Sequence, residues 1–297
     1  MKDHRLTIIS HALSLARETG SERLFLFLDS AAECRWFLRT KAAGDPSIVL
    51  VVPQQLPVAI LEAGGRPAQV IRSWSGNQTR FSRIKYAFLQ GVLQGFITIE
   101  SKVICVLGPS GKKHLDTITI HDLAHSWSEE FPFRVDDLIN NRAFPVITAV
   151  IDIALDIGAL GREGKSVGTT FVIGDEEAVM KTSHQLVFNP FKGYPAKERS
   201  ITRPEVVESI KELAQLDGAI IISGSGIVEA AGRNLDAERA SAKQLRGLGS
   251  RHRSAAGMTR KTEAVAVVVS ESTGKVTIFD KGRIAATLEP LISRRLV

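Results

Sequence analysis

The strongest constraint on this fold is a set of short, unbroken apolar runs separated by stretches with helical spacing. Leu24–Phe25–Leu26–Phe27–Leu28 has no polar residue to turn toward water, so as a strand it must be covered on both faces. Ile48–Val49–Leu50–Val51–Val52, stopped by Pro53, has the same character, and Lys102 to Leu107 (KVICVL) is a third run of this kind. Between them lie helical segments. Leu6, Ile9, Leu13 and Ala16 recur at spacings of three and four, Ala31 to Lys41 follows the N-cap signal Asp29–Ser30, and Thr79 to Leu93 is a further helix. A weaker unit runs from Leu61 to Ile71, and Thr117 to Ile120 adds a possible strand. Strands alternating with helices predict an α/β layer with a mostly parallel sheet.

The pattern breaks at 126–145, where SWSEEFPFRVDDLINNRAFP holds two prolines and no apolar period. The expected organisation is a front α/β domain over 1–126, a linker over 127–144 and a second domain over 145–297. The second domain restarts with a helix from Pro145 to Leu160, a turn at Gly161–Gly164 and a strand from Val167 to Ile173. Pro204 to Leu216 reads as a helix with proline in its first turn. Gly218–Ser223 and Gly226–Ala230 read as strands joined by a Gly-Ser-Gly turn, and Asp236–Leu245 as a helix. Ala264–Ser270 and Lys275–Phe279 form a hairpin across Glu271–Gly274. The expected fold of this half is a mixed β-sheet flanked by helices.

Composition removes several classes. In 297 residues, 44% hydrophobic and 24% charged, disorder is excluded. Two cysteines, Cys34 and Cys105, make no disulfide framework and read as reduced, buried thiols. The first twenty residues lack a signal-peptide core, and no stretch is long and apolar enough to span a bilayer, so a soluble, cytoplasmic protein without a membrane partner is expected. The net charge of +6 permits an anionic partner without choosing one.

Some motifs fail on inspection. Gly108–Pro–Ser–Gly111–Lys112–Lys113 lacks the earlier glycine of a phosphate loop, because Val106 stands there, and lacks a hydroxyl residue after the lysine. Gly224–Ser–Gly226 is followed by Glu229 where a dinucleotide fingerprint needs glycine. His121 and His125 have the i, i+4 spacing of two imidazoles on a helix face, but Asp122 and the lack of a third ligand argue against a zinc site.

Three segments remain. Asp217–Gly218–Ala219 leads straight into a strand, placing a carboxylate at a strand edge beside a glycine that admits a close ligand. Ser250–Arg251–His252–Arg253 follows Gly247 and Gly249 at a plausible helix N-terminus, where exposed amides and guanidinium forks suit phosphate. From Glu229 to Lys261 there are eight basic and three acidic residues. Ser270–Glu271 ends the most apolar strand; it reads as a hairpin turn, or as a carboxylate near a cation or nucleotide. A carboxylate, a basic loop and a second carboxylate at strand ends suit a nucleotide.

The Asp217–Gly218–Ala219 and Arg251–His252–Arg253 signatures, in this order, resemble the catalytic domain of the diadenylate cyclases. Gly161–Lys165, Val167–Gly168, Phe171–Asp175, Asn189–Pro195 and Val268–Gly274 resemble the segments around those signatures, so the likeness covers 145–297. The front domain resembles the α/β module, similar to the pyruvate kinase C-terminal domain, that precedes the cyclase domain in archaeal-type enzymes. The resemblance implies condensation of two ATP into cyclic di-AMP with release of two pyrophosphates, a divalent metal (Mn2+ or Mg2+), and a homodimer or larger homo-oligomer holding two ATP face to face. It implies that Asp217 orients or deprotonates the attacking hydroxyl, and that Gly218 and Ala219 pass close to ribose and base. It further implies that Ser250, Arg251, His252 and Arg253 bind phosphate, that Ser270 and Glu271 lie by the nucleotide, and that Asp217, Glu271 and His252 are candidate metal ligands. Two departures stand out: Ser250 replaces the usual threonine, and Ser272 replaces a second acid after Glu271. The rival readings are a nucleic-acid-binding protein using the basic patch and a non-catalytic nucleotide-binding module. The 6% aromatic content and the lack of an arginine-rich run argue against nucleic acid.

Overall fold

A computed structural model describes residues 4–62, 69–73, 79–109, 114–125, 141–236 and 247–290. The chain divides into two compact units between residues 130 and 131. The expected linker at 127–144 lies largely outside the described residues, as does the tip of the basic turn at 110–113.

The first unit contains α1 (His4–Thr19), β1 (Arg23–Phe27), α2 (Ala31–Leu38), β2 (Ile48–Pro53), α3 (Val58–Glu62), β3 (Gln69–Ser73), α4 (Arg80–Leu93), β4 (Lys102–Leu107) and β5 (Thr117–Asp122). The sheet order is β3-β2-β1-β4-β5, parallel except for β5, which runs antiparallel to β4. The apolar runs occupy the centre, as two-sided burial requires: Leu24 to Leu28 and Val103 to Leu107 are all buried. Helix α2 starts in a capping box. The Ser30 hydroxyl accepts from the Glu33 amide, and the Glu33 carboxylate accepts from the Asp29 amide at 3.0 Å. It ends before Lys41 because the Thr40 hydroxyl donates back to the Phe37 carbonyl at 2.7 Å, and a short 3-10 turn over Lys41–Gly44 follows.

His121 and His125 do not share a helix face. His121 lies in β5, with its ring edge-on to Phe88 at 5.1 Å and bonded to Thr119, while His125 lies beyond the strand and pairs with Asp122 at 3.3 Å. Cys34 and Cys105 are both buried and form no disulfide, and burial, with Glu33 adding to it, pushes the Cys34 thiol up to about 12.

The adjacent carboxyl ends of β1 and β4 are joined by one side chain. The Arg83 guanidinium, from α4, pairs with Asp29, donates to the Gly108 carbonyl at 3.0 Å and lies over the Phe27 ring. Arg83 is 7% exposed, so removing its partner strands a charge in the core. Asp29→Ala should therefore lower the unfolding free energy of this unit by about 3 kcal/mol. Urea melts followed by circular dichroism measure it, and a loss below about 1 kcal/mol would show the pair to be well solvated.

The second unit contains α5 (Phe144–Leu160), β6 (Thr169–Ile173), α6 (Glu176–Lys181), β7 (Ser183–Gln185), α7 (Pro204–Leu213), β8 (Ala219–Ile222), β9 (Val228–Leu235), α8 (Ser250–Lys261), β10 (Val265–Val269), β11 (Val276–Asp280) and β12 (Arg283–Leu288). The sheet order is β12-β11-β10-β6-β8-β9-β7. β6 and β8 are parallel and the other pairings antiparallel. One face packs small and β-branched residues (Val172, Ala219, Ile221, Ala266, Val268) under Ala255, Ala256 and Met258 of α8. Helix α5 packs on β6, β10 and β11.

Several bounds differ from the sequence reading. Helix α7 stops at Leu213, leaving a turn before Asp217. β9 continues to Leu235, its pairing with β8 shifted by a bulge. α6, β7 and β12 were not anticipated, and the expected helix over 236–245 lies outside the described residues beyond Asp236.

Candidate active site

Three strand ends and one helix start meet at a single arginine. Asp217 and Gly218 precede β8, Gly168 precedes β6, and Glu271 follows β10. Because β10 is antiparallel to β6, with Val269 opposite Thr169, its carboxyl end lies beside the amino ends of β6 and β8. The cluster thus forms at the amino ends of the parallel pair, opposite to the carboxyl-end crevice usual for α/β sheets.

Arg251 lies in the first turn of α8. Its guanidinium donates to the Glu271 carboxylate at 3.0 Å and stands 3.8 Å from the Asp217 carboxylate. Asp217 is 92% exposed, Glu271 is exposed and Arg251 half-buried, so the group faces solvent. Ser250 and Arg253 are exposed on the same first turn, and the Ser270 hydroxyl bonds that of Ser272 at 3.3 Å. The first turn of α8 carries two arginines and no acid, which opposes the helix dipole. An anion held by the free amides and the guanidinium groups would reverse that penalty.

His252 is turned the other way. It is 7% exposed and packs edge-on against Phe279, 6.0 Å between ring centres. Burial, helped by the charge of Arg251, lowers its pKa. The imidazole is therefore a core group that fixes α8 on β11, and the structure does not bring it to the two carboxylates. Among the described residues no group of three or more His, Cys, Asp or Glu side chains is gathered as a metal site.

Two glycines make the convergence possible. A Cβ on Gly168 would lie 2.7 Å from the Glu271 Cβ and 2.8 Å from an Arg251 nitrogen, so any other residue would split the ion pair. Gly218 has φ +103° and leans on the backbone of Gly232 and Arg233 in β9. The buried side chain of Ala219 faces the core beneath α8.

Beside this cluster lies a cavity of about 810 Å3, lined by Met180, Gln185, Val187, Phe188, Asn189 and Arg233 among others. It abuts the Asp217 turn through Gly232, whose Cβ position is 2.6 Å from Val187 and 3.7 Å from the Asp217 carbonyl. Arg233 holds its edge by donating to the Ser183 hydroxyl and the Met180 carbonyl at 2.8 and 2.9 Å, and burial pulls its pKa down. Asn189 pins the overlying loop through the Glu229 carbonyl and the Phe191 amide. Gly168 and the cavity residues were missed as site residues in the sequence. Gly168 had one local signal, a glycine immediately before a buried strand.

A curated protein of Haloferax volcanii named diadenylate cyclase is 30% identical over 271 residues, covering 90% of this chain and 93% of that protein. The chain belongs to the diadenylate cyclase family. The family model described as DisA bacterial checkpoint controller nucleotide-binding (DAC) matches residues 156–284, a span that contains every residue of the cluster. A diadenylate cyclase of Methanocaldococcus jannaschii is 37% identical over 192 residues, 64% of this chain but 61% of that protein, so the match spans about three fifths of that relative's length. Among solved structures, DacA from Staphylococcus aureus is 25% identical, covering 47% of this chain and 84% of that one with a TM-score of 0.31.

In this diadenylate cyclase-family site, Gly168→Ala should cut turnover roughly 100-fold, the scale of an ångström's misplacement at a reacting centre. It should leave the secondary structure intact, and full activity with an unchanged circular dichroism spectrum would show that the pair is not needed. His252 gives a pH prediction. The unfolded imidazole takes up a proton near pH 6.5 that the folded domain accepts only at lower pH. The stability from its burial is complete above about pH 6.5 and is lost as pH falls through that value toward the folded pKa. His252→Asn should flatten this part of the curve in urea melts between about pH 5 and 7. An unaltered slope would assign the effect to another group.

Proposed function

We propose that the protein condenses two ATP into cyclic di-AMP and two pyrophosphates. The observation that carries this reading is Arg251, which joins Asp217 to Glu271 at the amino end of α8 beside a cavity of about 810 Å3. The α8 amides, Arg251, Arg253 and Ser250 bind the triphosphate, and the adenine enters the cavity along β9, past the Gly218 backbone. Each new 3′-O to α-phosphorus bond replaces the bond from that phosphorus to the bridging oxygen of pyrophosphate. The bonding pair leaves with pyrophosphate. Asp217, fully open to solvent, orients the hydroxyl and takes its proton, while Arg251 and Arg253 stabilise charge on the departing group.

The donor set fits a divalent metal brought with the nucleotide. Asp217 and Glu271 would supply two carboxylates and the substrate its phosphate oxygens, the usual way Mg2+ is held at such sites. Bound there, Mn2+ or Mg2+ would neutralise triphosphate charge. His252, turned into the core, takes no part in that set.

One cluster serves one ATP, so the second hydroxyl comes from a second subunit. The product is symmetric, which calls for two copies facing each other across a twofold axis. The cyclase domain begins at α5, with 127–144 as its link to a front domain of the pyruvate kinase C-terminal type. Among the described residues no helix is long and apolar enough to cross a membrane, and an ATP-consuming reaction suits the cytoplasm.

Purified protein incubated with ATP and Mn2+ or Mg2+ should yield cyclic di-AMP by mass spectrometry. Specific activity should fall on dilution. Asp217→Asn should lose roughly 100-fold or more in rate while melting normally. The absence of product across metals and concentrations, with salt-dependent DNA binding instead, would replace the cyclase by the nucleic-acid reading.

A further inference from the structure

Glu271 sits in a turn that is seated on a helix by two facing glycines. Gly158 lies in the last turns of α5, and Gly274 closes the β10–β11 turn with φ +65°. A Cβ on Gly158 would lie 2.2 Å from the Gly274 carbonyl oxygen, and a Cβ on Gly274 would lie 2.2 Å from that of Gly158. The two backbones are therefore in direct contact, with no side chain between them. The turn itself is tight: the Gly274 amide donates to the Ser270 carbonyl at 2.8 Å, and the Ser270 amide to the Lys275 carbonyl at 2.9 Å. Within that frame Glu271 has little freedom. Its Cβ rests over Gly168 on one side, and its carboxylate meets Arg251 at 3.0 Å on the other.

We propose that the Gly158–Gly274 contact is a positioning device for the reaction, setting the height of the turn so that Glu271 reaches Arg251. This rests on the cyclase reading for the role of Glu271, but the seat itself is read from the backbone. Neither glycine has a side chain to offer the substrate, so each acts through the turn that carries Glu271. A methyl on either backbone would lift the turn away from α5 and withdraw the carboxylate from the guanidinium. Gly158 is helical, so Gly158→Ala adds no local backbone strain and tests the approach alone.

The experiment is a double-mutant cycle between Gly158→Ala and Glu271→Gln, measuring kcat and KM for ATP. As a second readout, binding of 3′-deoxy-ATP with Mn2+, which cannot cyclise, is measured by calorimetry. Gly158→Ala should lower kcat/KM for ATP roughly 100-fold. Added to Glu271→Gln, it should cost no more than about a further twofold, because both remove the same group. The two single variants should also weaken Mn2+-dependent analogue binding by the same factor. Losses that multiply in the double variant, or full activity in Gly158→Ala, overturn the proposal. Should Gly158→Ala not fold, Gly274→Asn approaches the seat from the other side with a residue that tolerates positive φ, and the same non-additivity is required. A wild-type protein that makes no cyclic di-AMP refutes the cyclase reading. The analogue-binding cycle then decides the seat by itself.

Discussion

The second unit is organised around one shared guanidinium. Arg251 draws together the entry to β8, the exit from β10 and the start of α8, three segments that the chain order keeps well apart. Each carboxylate alone would be an exposed surface acid of little consequence. Shared by one arginine, they define a mouth at the amino ends of the parallel pair, lined by free helix amides. The sheet beneath supplies the rigidity. β6, β8 and β10 are buried throughout, and Ala255 and Ala256 let α8 settle onto them with its first turn projecting outward.

The adjacent residues Arg251 and His252 show how one helix turn separates chemistry from support. About 100° of helical rotation sends the arginine to the carboxylates and the imidazole into the core against Phe279. The basic triplet is thus two cations on the surface around one neutral ring. Arg83 in the first unit plays a comparable part at the carboxyl ends of β1 and β4, where it ties Asp29 to the Gly108 carbonyl.

Much of this was legible in the chain. Two-sided burial made β1, β2 and β4 readable as apolar runs, the capping residue Ser30 marked a helix start, and the β10–β11 hairpin announced itself by its turn residues. Asp217, Arg251 and Glu271 were identified, and the structure brings them together. What the sequence could not show depends on contacts between distant segments. β12 and α6 lack a strong apolar period. The orientation of His252 depends on where α8 meets β11. Gly168 matters only because Glu271 and Arg251 arrive from elsewhere in the chain. The cavity along β9 exists because Asn189 folds a loop back over it.

The pairing of β10 with β6 carries one more consequence. Side chains along a strand alternate between faces, and Val268 and Ala266 share the α8-facing side with Val172 of β6. The position of Glu271 is therefore a matter of counting: it stands where it does because a fixed number of residues separates it from the start of β10. The strand can change its side chains among apolar types and keep the site. It cannot gain or lose a single residue, since an odd shift swaps the α8-facing row with the row on the opposite buried face and carries the carboxylate to the wrong side. In this domain the arithmetic of strand length is as much a part of the active site as the acids and arginines it delivers.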